Sequence, residues 1–152
     1  MTSDHHSSLA THEVTNQSPP FENLNLFTTD RPLCEAVQRE GASWCIVELT
    51  DFGAKVGSAR AFNMGRLANK HPPELLRYDE KGNRIDRVEY HPAYHEAMAI
   101  SCAAGIHSRP WETGAAAARG GNQVARLSHL YLKTQVEPGH IFPITMTNAV
   151  HL

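Results

Sequence analysis

His91 and His95 stand four residues apart, with Glu96 beside the second. On a helix that spacing sets both imidazoles on one face, where they can share a metal ion. The order is not the His-Glu-x-x-His of zinc peptidases, and His91 precedes Pro92, which pushes it out of the helical region. No third ligand can be named, so no metal site is assigned. His5, His6 and His12 fall in a polar stretch and are expected to be solvated. Glu137 is a lone carboxylate beside an apolar helix, the type of group that serves as a general base. Its place just before Pro138-Gly139 predicts an exposed helix terminus instead.

Arg77, Lys81, Arg84 and Arg87 cluster, but Asp79, Glu80, Asp86 and Glu89 interleave with them and cancel the field that a phosphate backbone would need. Gly120-Gly121 and Gly139 form neither Gly-x-Gly-x-x-Gly nor a P-loop, so no nucleotide fingerprint is present. Ser108, Ser128, Cys34, Cys45 and Cys102 lack a nucleophile-elbow context, and covalent catalysis has no support. The residues by themselves assign no catalytic, cofactor-binding or metal-binding side chain.

The elements that hold these groups fit one domain. The chain has 152 residues, 41% hydrophobic and 20% charged, with 14 Lys and Arg against 16 Asp and Glu for a net charge of -2. That balance excludes a collagenous or wholly disordered chain and gives no basic footprint for nucleic acid. Three cysteines without paired or metal-type spacing read as free thiols, packed as small buried hydrophobes. The first thirty residues carry Asp4, Glu13, Glu22 and Asp30 but no Lys or Arg, which predicts no export signal. No apolar run approaches the roughly 20 residues of a membrane span. A soluble, cytoplasmic protein is expected.

Residues 1–20 are too polar to bury and are expected to form a flexible arm, with the domain over 21–152. Phe21 to Phe27 alternates Leu24 and Leu26 with Asn23 and Asn25, the pattern of an extended tether across the surface. Asp30 as cap and Pro32 in the first turn predict a helix from Arg31 to Glu40, stopped by Gly41. Leu49, Phe52, Val56, Ala59 and Phe62 recur at three and four, so Ser43 to Asn69 reads as one long helix, with Gly53 and Gly57 marking close helix packing. His71-Pro72-Pro73 ends it. Lys81-Gly82-Asn83 then marks the turn of a small hairpin or an ordered loop. Further helices are predicted over Ala93 to Ala104 and Thr113 to Glu137, the latter interrupted at Gly120-Gly121 and carrying an apolar stripe of Val124, Leu127 and Tyr131. The fold class is all-α: a four-helix bundle with a short excursion.

Taken together, Pro72-Pro-Glu-Leu-Leu-Arg-Tyr-Asp79, His91-Pro-Ala-Tyr-His95, Leu33-Cys-Glu-Ala-Val, Arg39-Glu-Gly-Ala, Gly65-Arg-Leu-Ala-Asn, Arg84-Ile-Asp86 and Pro143-Ile-Thr-Met-Thr147 resemble one family. It is the AidB-type, adaptive-response branch of the acyl-CoA dehydrogenases, and the likeness runs from about Asn16 to Thr147. The resemblance implies the N-terminal helical domain of an FAD-dependent oxidoreductase that acts on the CH–CH group of an acyl thioester, here cut before its β domain. In that family a carboxylate base removes the α proton while the β hydride passes to the flavin. The base and the FAD-gripping segments lie beyond this chain, so none of its residues is assigned to either, and the fragment alone is expected to be inactive.

By position in the family, Tyr131, Thr134 and Gln135 are the candidates for lining the acyl pocket, although core packing of Tyr131 is the preferred reading. The resemblance further implies a homotetrameric parent that binds acyl-CoA, with a DNA-binding basic surface in its C-terminal domain. An alternative is a non-catalytic module for assembly or the response to DNA alkylation. The Gly120-Gly121 break and Cys45-Ile-Val-Glu48 depart from the family pattern.

Overall fold

A computed structural model describes residues 11, 12 and 14–150. Among these the chain forms seven α-helices, α1 (Arg31–Arg39), α2 (Ile46–Val56), α3 (Ala59–Lys70), α4 (Pro92–Ala103), α5 (Ala115–Ala118), α6 (Asn122–Thr134) and α7 (Ile141–Ala149), with short 3-10 turns at Ser43–Cys45 and Arg109–Trp111. Strands β1 (Glu74–Tyr78) and β2 (Arg84–Glu89) pair antiparallel between α3 and α4. The structure is therefore mostly helical with a small hairpin, and all-α is only an approximate description. Of the arm expected over 1–20, its first ten residues and Glu13 lie outside the described residues, and the described part is exposed without helix or strand.

Local chemistry sets the boundaries. The Asp30 side chain accepts from the Leu33 amide at 2.9 Å and opens α1. The long helix expected over Ser43 to Asn69 is instead two helices, because Ser58 caps a fresh start at the Ala61 amide. The Asn23 side chain also accepts from Ala59 N at 2.9 Å. Pro72-Pro73 separates α3 from the hairpin, as expected. The hairpin turn falls at Asp79, whose carboxylate accepts from the amides of Lys81 and Asn83 at 2.9 and 2.8 Å. In the register Leu75 faces Val88 and Leu76 faces Arg87, while Tyr78 faces Arg84, so β2 holds one extra residue. Asp86, at φ 45, marks that bulge. Helix α7 had no counterpart in the sequence reading; its Pro143 sits early enough in the helix to remove no ladder bond.

Gly53 and Gly57 do mark a close approach, but the neighbour is the segment 24–27 and not another helix. Leu24 N donates to the Gly57 carbonyl at 3.3 Å and Leu26 N to that of Gly53 at 3.2 Å. A Cβ on Gly57 would collide with the Leu24 carbonyl, and one on Gly53 with Asn25 and the Phe27 backbone. Asn25 completes the join, donating to Thr50 O at 2.9 Å while its oxygen accepts from Phe27 N and Thr28 N. The segment expected to lie over the surface thus delivers Leu26 and Phe27 into the core, where both are buried. Burial of each contributes roughly 1.5–3 kcal/mol. They pack with Val37, Leu49, Val56, Leu132 and Ile144 in the main core, and Met64, Ala93 and Ala97 make a smaller cluster between α3 and α4. Among the described residues no helix is long and apolar enough to cross a membrane.

The tight α2 contact is testable. Gly57→Ala should destabilise the chain by about 1–3 kcal/mol through overpacking. Val47→Ala, on the exposed side of the same helix, should stay within about 0.5 kcal/mol. Urea melts followed by circular dichroism compare the two, and equal midpoints would dismiss the packing account.

Candidate functional site

Helix α6 faces the interior with a mixed polar and apolar side. Its buried residues are Ala125, Arg126, Ser128, His129, Leu132 and Lys133, whereas Leu127 and Tyr131 of the apolar stripe are 46% and 51% exposed. Tyr131 is therefore not a core residue, contrary to expectation. The negative charge of Asp30, the cap of α1, raises the pKa of the Tyr131 phenol. Thr134 and Gln135 share its exposure, and the Thr134 hydroxyl is spent on the Leu130 carbonyl at 2.7 Å. These three lie together at the surface of α6.

Two polar groups of α6 tie the core together. Arg126 donates through Nε to the Ile106 carbonyl at 2.8 Å. His129 sets Nδ1 2.8 Å from the Ala125 carbonyl and Nε2 3.3 Å from Glu48 Oε1. Arg109 grips the same Glu48 carboxylate with both terminal nitrogens, one at 2.9 Å. His129 and Arg109 together outweigh partial burial and hold the Glu48 carboxyl down at about 2. The cluster fastens α2 to α6 and to the Arg109–Trp111 turn. Trp44 lies beneath the guanidinium groups of Arg109 and Arg119, at 5.8 and 5.4 Å, and donates to Gly120 O at 3.1 Å. The Gly120-Gly121 break belongs to this corner: both glycines have positive φ, and a side chain on Gly121 would meet the Gly41 carbonyl.

The densest chemistry lies where α6 meets α7. Glu137, expected at an exposed terminus, is 2% exposed. Its carboxylate turns inward and closes the Pro138-Gly139 corner, accepting from Gly139 N at 2.6 Å, His140 N at 3.1 Å, Asn69 Nδ2 at 3.3 Å and His140 Nδ1. Despite burial, these donors keep its pKa below the usual carboxylate range. Burial lowers the His140 pKa, so the ring is neutral and its Nδ1–H donates to Glu137. Nε2 is then the acceptor for the Ser101 hydroxyl at 2.7 Å.

Serine, histidine and carboxylate are thus aligned in the manner of a hydrolytic triad. Yet Ser101 and His140 have no exposed surface, and Ser101 sits inside α4. No carbonyl can reach the hydroxyl, and the arrangement joins α4 to the α6–α7 corner. Lys133 is equally buried, with no hydrogen-bond partner for its ammonium. Desolvation pushes its pKa down to about 8, against a smaller opposing pull from Glu137.

The sequence reading missed Ser101, Lys133 and His140. The signal was present in the spacing of Lys133, Glu137 and His140, four and three residues apart across Pro138-Gly139. His91 caps α4 by accepting from Ala93 N at 3.1 Å and stacks on His71, while His95 meets Tyr90 and Tyr94 edge-on, so the two are not brought together. His5 and His6 lie outside the described residues; His12 is exposed beside Thr11. Of the three thiols expected in the core, only Cys45 is fully buried; Cys34 is half-buried and Cys102 exposed.

Lys133 sets a pH dependence. Its folded pKa lies below the unfolded value of 10.5, so the unfolded chain holds the extra proton between about 8 and 10.5 and stability should rise with pH across that window. The gain is on the order of 3 kcal/mol. Lys133→Met should be more stable at neutral pH and lack the Lys133 share of the rise. Urea midpoints at pH 7.5 and 10 for both chains measure it, and parallel curves would exclude the buried ammonium as the cause.

Known proteins repeat this architecture. The crystal structure of Caenorhabditis elegans ACDH-11 in complex with C11-CoA superposes with a TM-score of 0.73 at 20% identity, over 97% of this chain and 25% of that one. The Escherichia coli (strain K12) protein AidB, provisionally named an acyl-CoA dehydrogenase, is 48% identical over 139 residues, which is 91% of this chain and 25% of the relative. The chain thus spans about a quarter of the length of the proteins it matches. The family described as the adaptive response protein AidB N-terminal domain matches residues 16–151, and the chain belongs to that family.

Proposed function

We propose that this chain is the N-terminal helical part of a cytoplasmic, FAD-dependent oxidoreductase of acyl-CoA dehydrogenase type, which acts on the CH–CH group of an acyl thioester. The observation that carries this reading is the orientation of α6. A helix that buries Arg126, His129 and Lys133 and leaves Leu127 and Tyr131 outside is built to cover its second face with further protein. Phe142 and Met146 on α7 and Val150 at its end are 71%, 51% and 80% exposed and add to the same demand. In the intact protein Tyr131, Thr134 and Gln135 line one side of the acyl pocket, where the Tyr131 ring supplies apolar surface and the Gln135 amide a polar group for a thioester chain.

The recesses at the hairpin neck do not fit FAD. Its pyrophosphate needs cations or a helix start with free amides, while the recesses at the hairpin neck carry Glu74, Glu89 and Glu137 without Lys or Arg. The buried Ser101, Lys133 and His140 are closed off by the core. As the family resemblance implies, the flavin grip and the carboxylate base are assigned to residues beyond this chain, and no redox step is assigned to its side chains. The parent is proposed to be a homo-oligomer. The net charge of -2 and the interleaved charges of the hairpin set any DNA contact elsewhere in it.

Light scattering should find the purified chain heavier than its 16.8 kDa monomer. Leu127→Lys with Phe142→Lys should restore the monomer, with the melting midpoint lowered by no more than a few degrees. A stable monomer of the unsubstituted chain with a cooperative melt would count against an uncovered α6 face. Gel filtration after incubation with FAD should leave the protein colourless. Stoichiometric retention of flavin would overturn the placement of the cofactor.

A further inference from the structure

At the neck of the hairpin, α3, α4 and the α6–α7 corner enclose a recess of about 340 Å³, large enough for a small ligand. Asn69, His71, Pro72, Tyr90, Tyr94 and Glu137 line it. Its wall is aromatic. Tyr90 and Tyr94 stack with centroids 4.5 Å apart, and His71 stacks on His91 at 4.7 Å. Its lining includes one carboxylate and neither Lys nor Arg. Lys133 approaches Glu137 from within the core and does not line the recess.

The state of that carboxylate decides which ligand fits. Oε1 already accepts from Gly139 N and Asn69 Nδ2, and Oε2 from His140 N and Nδ1. Glu137 therefore offers a fixed negative charge, offset in part by the Lys133 ammonium behind it, but no vacant acceptor for a ligand N–H. A primary ammonium or guanidinium would find no acceptor at Glu137 itself, so the carboxylate gives an N–H cation no advantage there. A quaternary ammonium has no N–H to satisfy, spreads its charge over methyl groups, and is attracted by tyrosine faces. We propose that the recess between the hairpin neck and the α6–α7 corner binds a small quaternary ammonium compound, with the Tyr90–Tyr94 stack as platform and the Glu137 carboxylate as fixed counter-charge. The site is independent of the acyl chemistry proposed above, because Tyr131, Thr134 and Gln135 are not among its lining residues.

Titration calorimetry of the full chain with choline, its uncharged carbon isostere dimethylbutanol, and glycine betaine tests this assignment. Choline should bind at least about tenfold more tightly than the isostere, and betaine more weakly than choline, because its own carboxylate meets Glu137. Tyr90 is 38% exposed, so its replacement leaves the core intact. Tyr90→Leu should weaken choline binding at least about threefold, and Tyr90→Phe should retain it. Equal binding of choline and the isostere, an unchanged affinity in Tyr90→Leu, or no heat with choline up to about 50 mM would each overturn the proposal, since cation–π recognition of desolvated ammonium should be measurable in that range.

Discussion

The structure depends on the desolvation of the charged face of α6. Bringing an unpaired charge out of water costs far more than any single apolar contact returns, so each buried polar group of this helix dictates what must stand opposite it. Arg126 requires the Ile106 carbonyl, and His129 requires Glu48, which in turn is gripped by Arg109. Those partners come from α2 and from the turn after α4. The polar contacts therefore fix which elements surround α6 and at what height, and the apolar side chains fill the space between. Lys133 is the exception: its ammonium is buried without a hydrogen-bond partner, and desolvation lowers its pKa against a smaller opposing pull from Glu137.

The legible part of the sequence was the part governed by local chemistry. Asp30 and Pro32 announced α1, Pro72-Pro73 the break after α3, and Lys81-Gly82-Asn83 the hairpin, because caps, proline and turn residues act on their immediate neighbours. The family was legible too, since words such as Pro72-Pro-Glu-Leu-Leu-Arg-Tyr-Asp79 are sequence features in themselves. What failed was inference from periodicity to direction. Val124, Leu127 and Tyr131 mark one face of α6, but periodicity does not say whether that face meets this domain's core or something else. The assumption that apolar means inward put Tyr131 in the core, and the Pro138-Gly139 stop put Glu137 in solvent; both are reversed.

Gly53 and Gly57 carry a related lesson. Their spacing reported a surface of α2 approached at backbone distance, which is correct, but a helix and an irregular strand make the same demand on a glycine. The partner turned out to be residues 24–27, whose amides bond the carbonyls of those very glycines. Asn23 and Asn25, read as the polar half of a surface alternation, are the anchors that hold this crossing to α2 and α3. Side chains that both donate and accept can satisfy a buried irregular segment, which leaves no periodic trace.

The Ser101–His140–Glu137 alignment shows why geometry must be weighed with access. The neutral ring, the serine hydroxyl on one nitrogen and the carboxylate on the other reproduce the proton arrangement of a hydrolase. Catalysis needs a nucleophile that meets substrate and donors for the developing oxyanion. Ser101 has no exposed surface, and its place inside α4 commits its backbone amide to the helix ladder. The same three groups therefore act as a tie. Because Glu137 is saturated by four donors and still borders the recess at the hairpin neck, the tie also fixes the carboxylate of that recess. A single carboxylate, placed by the demands of a tight corner, thereby couples the packing of α4 and α7 to the electrostatics of the neighbouring surface.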